Sequence, residues 1–360
     1  MGCVMKTRDG WIAVVFLIFI FLLPAATLID RFFAARSEEA FAEVPASEDS
    51  VQETIYLFPP SIQNNVNEFT DQLFMRKQLI AFNTDVTSLL TGGTYFESTQ
   101  VLLGKDNWLF YKSSIEGEHP IWDYMGINHF SEEELLRITA NLQDTQKYFE
   151  EERGIPFYIV TIPNKEIVYS EYMPDTIIRL NEVSRGQQLS EYVEQNAALP
   201  YLDLRYALLE AKEDYPTYYR TDSHWNYYGA YVGLQEIFQE IYGDGIPADI
   251  SCFSVASEDY SGDLAALAGL QDRFSIDSYY VLDPDRIDKE QYHDEVLLLV
   301  GDSFSEYLRD LAKYYYRDVH YVHSRDFQVD MIDQIQPDIV IWECVERYLD
   351  VFSTRHLMEQ

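Results

Sequence analysis

The stretch that decides the fold class is Val296-Leu297-Leu298-Leu299-Val300-Gly301-Asp302-Ser303-Phe304. Its first five residues form a continuously apolar run, which is typical of a strand buried on both faces of a parallel sheet. Gly301 ends the run, and the spacing of apolar and aromatic residues then predicts a helix from Phe304 to Tyr316. Ser303 is therefore predicted at a strand-to-helix turn, where free backbone N–H groups and the helix dipole can stabilise an oxyanion. The alternative is that Ser303 only caps the helix.

A second segment that carries reactive side chains is Thr221-Asp222-Ser223-His224-Trp225. It lies earlier in the chain and precedes a predicted helix that starts near Asn226. In an extended backbone, residues two apart point to the same side, so the carboxylate of Asp222 can meet the ring of His224. A serine hydroxyl becomes a useful nucleophile when an imidazole takes its proton and a carboxylate orients that imidazole. The pair could be only a local hydrogen bond, but with Ser303 it supplies every group of a catalytic triad.

Strand-like and helix-like segments alternate along the chain. The predicted strands are Phe157–Ile162, Tyr201–Asp203, residues 296–300, Val319–Val322 and Ile339–Trp342. The predicted helices are Glu132–Arg153, Gly186–Ala197, Leu204–Lys212 and the segment after Asn226, while Val101–Tyr111 has the pattern of a hairpin with Lys105-Asp106-Asn107 at its turn. Such alternation implies the α/β class, with a parallel sheet covered by helices on both faces.

Six segments resemble, in the same order, those of a known family. The segment 221–225 with Gly229-Ala230 is similar to the T-D-x-H-W…G-A block of SGNH-like acetyltransferases of the alginate O-acetylation type (AlgJ and AlgX) and of the related DHHW family. The other similar segments are Val101–Tyr111 (VLLGKDNWLFY), Ile162–Glu166 with Tyr169, Ser261–Ala265 (SGDLA), Gly301–Phe304 and Glu346-Arg347. The resemblance covers about residues 98 to 352 and implies an SGNH-hydrolase-like fold of three layers, α/β/α.

The resemblance implies that Ser303 is the nucleophile, His224 the general base and Asp222 its orienting partner. In ordinary SGNH esterases the serine block comes first, but triads are recognised by geometry rather than by chain order. Ser223 replaces the first histidine of the D-H-H-W form, so that histidine cannot be needed for chemistry here. Asn107 stands where the family has glycine, and asparagine also tolerates a positive φ.

Trp225, Lys165 and Arg347 are further candidates for substrate contact. Lys165 lies between a predicted strand and the following turn, where it could bind an anionic group or a substrate carbonyl, with a structural salt bridge as the alternative. Arg347 is placed to pair with Glu343 or Glu346 on a helix.

The amino terminus carries Lys6 and Arg8, followed by a run without charges from Trp11 to Ile29. Such a run nearly spans a bilayer core, which predicts an uncleaved signal-anchor with a cleaved signal peptide as the alternative. We therefore expect residues 1–36 to form a transmembrane segment, 37–59 a juxtamembrane linker and 60–360 an extracytoplasmic catalytic domain. The expected location is the cell membrane, with a single span.

Composition narrows the choice of ligand. The net charge of −35, from 61 acidic and 26 basic residues, argues against nucleic acid and disfavours a strongly anionic polymer along a broad surface. A neutral or weakly charged glycan is easier to reconcile. No metal site and no cofactor motif is predicted. Cys252 and Cys344 would form a disulfide or remain two buried thiols.

The sequence and the resemblance together predict an O-acetyltransferase that acts on a cell-surface polysaccharide through an acetyl-serine. The resemblance implies a membrane-bound O-acyltransferase as partner and acetyl source. A carbohydrate acetylesterase with the same triad is the nearest alternative, because water competes with sugar hydroxyls for the same acyl-enzyme. A non-catalytic glycan-binding protein on the same scaffold is the alternative of another class.

Overall fold

A sheet of five parallel strands forms the centre of the computed structural model, which describes residues 98, 100–112, 118–244, 250–287 and 292–354. All these residues belong to one compact unit that covers residues 91–360. Its strands are β3 (Phe157–Ile162), β4 (Tyr201–Asp203), β7 (His293–Gly301), β8 (Tyr316–His323) and β9 (Ile339–Val345), in the spatial order β4-β3-β9-β7-β8. The predicted strands are confirmed, although β7, β8 and β9 are longer than expected.

Ten α-helices connect and cover the strands in the described part of the chain. They are α1 (Pro120–Met125), α2 (Glu132–Lys147), α3 (Lys165–Val168), α4 (Arg185–Asn196), α5 (Arg205–Ala211), α6 (Tyr227–Tyr242), α7 (Asp263–Leu267), α8 (Ser305–Ala312), α9 (Met331–Ile335) and α10 (Val351–Thr354). A capping box formed by Ser131 and Glu134 opens α2, and a π-helical turn, Tyr148–Glu152, extends that helix.

Alternate residues of β7 face two separate apolar cores, one on each side of the sheet. Leu297 and Leu299 lie in the core that α6 and α8 cover, whereas Leu298 and Val300 lie in the core that α2 and α4 cover. The side-chain period of two in a strand explains this division, and burial on both faces explains why the run carries no polar residue. The predicted α/β class with helices on both faces is confirmed.

The helix after the nucleophile is shorter than its spacing predicts. It ends at Ala312 instead of Tyr316, because Tyr316 begins β8 and pairs with His293 of β7. Tyr315 and Tyr316 are both almost fully buried, so their aromatic pattern serves the sheet and its core instead of a last helical turn. The apolar spacing alone does not separate these two uses.

Two hairpins lie outside the central sheet. The predicted hairpin is present as β1 (Val101–Leu103) and β2 (Leu109–Tyr111), and Asn107 at its turn has a φ of 63°. The second pairs β5 (Phe253–Tyr260) with β6 (Asp277–Leu282). The sequence did not predict it, because β5 is exposed along nearly its whole length and lacks apolar alternation.

The remaining sequence predictions concern the amino-terminal part and the cysteines. The predicted transmembrane run and the linker lie outside the described residues. Within the described residues, no helix is long and apolar enough to cross a membrane. Cys252 and Cys344 are both buried free thiols, so the disulfide alternative is not realised.

Candidate active site

The three residues predicted to form a triad lie in one hydrogen-bonded chain. His224 Nε2 is 2.7 Å from Ser303 Oγ, and His224 Nδ1 is 2.7 Å from Asp222 Oδ1. Ser303 lies between β7 and α8, whereas Asp222 and His224 lie in the loop before α6. The two segments therefore bring their side chains to the carboxyl-terminal edge of β7, where ligands commonly bind in parallel sheets.

The carboxylate of Asp222 is held in place by four hydrogen bonds. Its Oδ1 accepts from the His224 ring and from the His224 backbone N–H, and its Oδ2 accepts from Tyr260 Oη at 2.9 Å and Asp263 N at 3.0 Å. Burial alone would raise the pKa of this carboxyl, but the hydrogen bonds and the charge of His224 hold the pKa well below its usual range. Asp222 is therefore ionised and held in a single orientation.

Asp263 is a second carboxylate beside the imidazole, and the sequence analysis assigned it no role. Its Oδ2 is 3.6 Å from His224 Nδ1, while its two oxygens accept from the backbone N–H and the hydroxyl of Ser223, each at 2.6 Å. Burial lowers the pKa of His224, but the Asp222 hydrogen bond and the charges of Asp222 and Asp263 raise the pKa above its usual value. The SGDLA segment was the available signal for this residue.

Gly262 allows this segment to reach the triad. A Cβ at Gly262 would lie 2.4 Å from Cβ and 2.6 Å from Cα of Asp222, which is closer than atoms can approach. The glycine is thus needed for close approach of two backbones. That approach is what places Asp263 N within hydrogen-bonding distance of Asp222.

Lys165 lies under the loop that carries Asp222. Its Nζ donates to three backbone carbonyls, those of Tyr219 (3.2 Å), Arg220 (3.2 Å) and Asp222 (2.7 Å). The side chain is 1% exposed, and burial lowers its pKa to about 8. The structure thus gives Lys165 a contact that neither sequence alternative, substrate contact or salt bridge, anticipated: it holds the loop through carbonyl oxygens.

Buried acids hold the turn that carries Ser303. Asp302 accepts from the backbone N–H groups of Phe304 (2.9 Å) and Val345 (2.8 Å). Glu343 Oε2 accepts from the N–H of Asp302 (3.2 Å) and from Ser305 Oγ (2.6 Å). Burial raises the pKa of Asp302, and burial together with the Asp302 charge raises that of Glu343 well above its usual range. Two buried charges so close repel each other, so burial and the Asp302 charge favour the neutral form of Glu343.

Comparisons with known proteins identify the family of this chain. Residues 101–346 match the family model described as "SGNH hydrolase-like domain, acetyltransferase AlgX". This chain belongs to that family. It is 25% identical to a probable alginate O-acetylase AlgJ of Pseudomonas syringae pv. tomato and 26% identical to one of Pseudomonas putida; each alignment covers 69% of this chain, and 69% and 70% of the relatives.

A solved structure, that of a DHHW family protein from Eubacterium siraeum, is 14% identical and has a TM-score of 0.49 over 73% of this chain and 95% of the other. The family match makes this chain an SGNH-type acetyltransferase, in agreement with the sequence prediction.

A cleft of about 460 Å³ opens beside the nucleophile of this AlgX-type domain. Its walls include Ser303, Asp302, Glu118, Arg347, Tyr348 and Asp350. Within the described part of the chain the backbone N–H of Ser303 donates to no protein acceptor. A carbonyl oxygen of an ester in this cleft can therefore accept from that N–H, as an oxyanion hole requires.

Two arginines line this cleft, the exposed Arg325 and the buried Arg347. Arg347 is 5% exposed, its guanidinium carbon lies 5.1 Å from the ring centroid of Phe304, and its Nε has no hydrogen-bond partner. The predicted pairing with Glu343 or Glu346 is wrong, since no ion pair joins them among the described residues and the Glu346 carboxylate instead accepts from Asn164 N and Gly186 N. The reason is local: 346–348 form a 3₁₀ turn after β9 instead of an α-helix.

Trp225 lies beneath the site and joins its two segments. Its side chain is fully buried, and its indole N–H donates to the carbonyl of Phe304 at 3.2 Å. The ring is thus placed to hold the loop before α6 against the nucleophile turn, although the sequence analysis had put it among the candidate substrate contacts.

Asp222, His224 and Asp263 also have oxygen and nitrogen atoms within 4.8 Å of one another, a spacing that a metal ion can bridge. Protons already satisfy these atoms. Asp222 shares one with His224 Nδ1, and Asp263 accepts two from Ser223. The arrangement therefore suits proton transfer better than metal binding.

Proposed function

We propose that this protein is a serine-dependent glycan O-acetyltransferase that passes an acetyl group through Ser303. The observation that carries the proposal is the chain of two 2.7 Å contacts from Ser303 Oγ through His224 to Asp222. A hydroxyl so placed loses its proton to the imidazole as it attacks a carbonyl carbon. The names of the relatives, probable alginate O-acetylases, support a glycan as the acceptor.

In the first half-reaction Ser303 Oγ forms a bond to the acetyl carbonyl carbon while His224 Nε2 takes the hydroxyl proton. The tetrahedral oxyanion accepts a hydrogen bond from the backbone N–H of Ser303, and Asp222 stabilises the imidazolium that forms. His224 then gives its proton to the departing oxygen or sulfur of the donor. The carbon–leaving-group bond breaks, and acetyl-Ser303 remains.

In the second half-reaction a sugar hydroxyl takes the place of the donor. His224 Nε2 accepts the hydroxyl proton while the sugar oxygen attacks the acetyl carbon, and the proton returns to Ser303 Oγ as the ester bond to serine breaks. The raised pKa of His224 makes the imidazole a stronger base for this step.

The setting belongs to the proposal as well. The apolar run 11–29 supports an amino-terminal membrane anchor and an extracytoplasmic catalytic domain. A single-span protein without an acetyl-CoA motif needs an acetyl donor on its own side of the membrane. A multispanning membrane-bound O-acyltransferase is the partner that fits this need.

The test is an acetyl-transfer assay with the purified domain, an activated acetyl ester as donor and an oligosaccharide as acceptor. The wild type should place acetyl groups on the sugar faster than it releases acetate. Ser303→Ala should abolish both products, whereas Ser257→Ala, at an exposed position on β5, should retain activity. Acetate release without sugar product at high acceptor concentration would favour the esterase. Full activity of Ser303→Ala would refute the serine mechanism.

A further inference from the structure

Five tyrosines cluster beside His224 and Asp222. The members of this tyrosine face are Tyr219, Tyr227, Tyr260, Tyr279 and Tyr307. Neighbouring rings have centroids 4.7–6.3 Å apart. None of the five lines the cleft.

The tyrosine face reaches the reacting groups directly. The Tyr307 ring stacks on the His224 imidazole, with 6.0 Å between centroids and 27° between the ring planes. The Tyr260 hydroxyl donates a hydrogen bond to Asp222. Residues from three separate elements, the β5–β6 hairpin, α6 and α8, supply the exposed rings. A molecule resting on this face therefore lies against the general base.

Core packing does not account for all of these rings. Tyr219 is buried, but Tyr227, Tyr260, Tyr279 and Tyr307 remain partly exposed. Tyr260 and Tyr279 belong to none of the hydrophobic clusters found among the described residues, and they project from a hairpin whose strand β5 is largely exposed. Exposed rings with polar edges are suited to a ligand that has both apolar and hydroxyl-bearing surfaces.

We propose that the tyrosine face is the acceptor subsite and that it takes an uncharged sugar ring. This inference rests on the proposed function, which requires a sugar hydroxyl at His224 Nε2. The C–H face of a pyranose packs on an aromatic ring, while its hydroxyls reach Tyr hydroxyls and nearby carboxylates. In this pose one hydroxyl points at the imidazole, and its proton passes to His224 as the acetyl group leaves Ser303.

The charges found at the tyrosine face disfavour a uronic acid. No lysine or arginine side chain of the described residues lies over any of the five rings. Carboxylates are close instead. Asp222 accepts a hydrogen bond from Tyr260, Asp310 accepts one from Tyr227, and Asp263 lies beside His224. Arg309 is already paired with Asp310. A sugar carboxylate on these rings would therefore meet like charges, with no cation over the rings to offset them.

Binding to Ser303→Ala protein separates this inference from the chemistry. Titrating it with uncharged hexaoses (cellohexaose, maltohexaose and chitohexaose) should give saturable binding with at least one of them. Adding Tyr279→Ala should weaken that binding about tenfold, the value of one aromatic contact. Adding Tyr279→Phe, which keeps the ring, should change it less than threefold. Tyr206→Ala removes a ring that is 67% exposed on α5 and serves as the control.

The same proteins, with Ser303 restored, give the second readout. Tyr279→Ala should raise the KM for the oligosaccharide more than it slows acylation by a small acetyl ester, and thermal unfolding should show that it is folded. Hexamannuronate should bind at least tenfold more weakly than the best uncharged hexaose at low salt. Equal losses in acylation and sugar binding, tighter binding of hexamannuronate, or no binding of any uncharged hexaose would overturn the subsite. Absence of acylation in the wild type would instead refute the proposed function.

Discussion

The loop that carries Asp222 and His224 and the turn that carries Ser303 are held by opposite kinds of buried group. Beneath the loop, the Lys165 ammonium donates to three backbone carbonyls. Beneath the turn, the carboxyl groups of Asp302 and Glu343 accept from three backbone N–H groups and one hydroxyl. One segment needs donors from the interior and the other needs acceptors.

The difference follows from the direction of the backbone. Where a parallel strand passes into a helix, the first N–H groups of the helix have no partner within it, so acids suit this turn. The loop before α6 turns its carbonyls inward, and only a donor without an acceptor lone pair satisfies them all. Burial favours the neutral form of each group. It lowers the pKa of Lys165 to about 8 and raises the pKa of Glu343 well above its usual range.

The largest effect is expected on the loop side, from Asp222→Asn. The amide cannot stabilise the imidazolium and favours the wrong tautomer of His224, so kcat should fall about 10³- to 10⁴-fold. Steady-state ester hydrolysis measures the change. Thermal unfolding should show a folded protein, because the amide oxygen can still accept hydrogen bonds. A loss below tenfold would mean that Asp222 does not orient the base.

Next in size is Lys165→Met, which leaves three buried carbonyls without a donor. We expect the free energy of unfolding to fall by about 3 kcal/mol, and kcat/KM of the folded protein to fall about 100-fold as Asp222 loses its position. Urea titration and ester hydrolysis give the two numbers. Lys147→Met, at an exposed position on α2, is the matched control and should change neither. Unchanged activity of Lys165→Met would remove the loop's claimed support.

On the turn side, Glu343→Gln should be mild and Glu343→Ala severe. Glutamine resembles the neutral acid that burial favours, so activity should stay within about threefold, whereas alanine leaves Asp302 N and Ser305 Oγ without an acceptor and should cost about 2–3 kcal/mol of stability. Chemical unfolding distinguishes the two variants. Equal damage from both would show that Glu343 acts as an anion.

The smallest effect concerns pH. His224 works as a base only when neutral, and its raised pKa predicts that kcat/KM falls as pH drops through a value above the usual 6.5. Burial and the Arg347 charge lower this pKa whereas Asp222 and Asp263 raise it, so Asp263→Asn should move the acidic limb to lower pH. Asn can still accept from Ser223. A limb that does not move, or moves upward, would contradict the role of Asp263.

Local pattern was enough to predict the sheet and the approach of Asp222, His224 and Ser303 to one another. The run 296–300 had to be a strand buried on both faces, and the D-x-H spacing had to align two side chains. It could not predict the partners that come from afar. Tyr260 and Asp263 reach Asp222 only because the β5–β6 hairpin folds back, and β5 lacks the alternation that announces a strand. The three carbonyls under which Lys165 lies belong to residues 54–57 positions away.

Arg347 shows the same limit from the other direction. The spacing to Glu343 suggested a helical ion pair, but β9 continues through Val345 and places the guanidinium in the cleft. Strand and helix assignments near a chain reversal depend on long-range pairing, which a local pattern does not contain.

Covalent labelling shows most directly whether acetyl transfer passes through Ser303. The purified domain is mixed with an activated acetyl ester, quenched within milliseconds to seconds, and analysed by intact mass and peptide mapping. We expect one added acetyl group, located on Ser303. It should disappear when an acceptor sugar is added, and it should not form in His224→Ala. Rapid turnover of the ester with no adduct on Ser303, or an adduct on another residue that the sugar discharges, would contradict an acetyl-Ser303 intermediate.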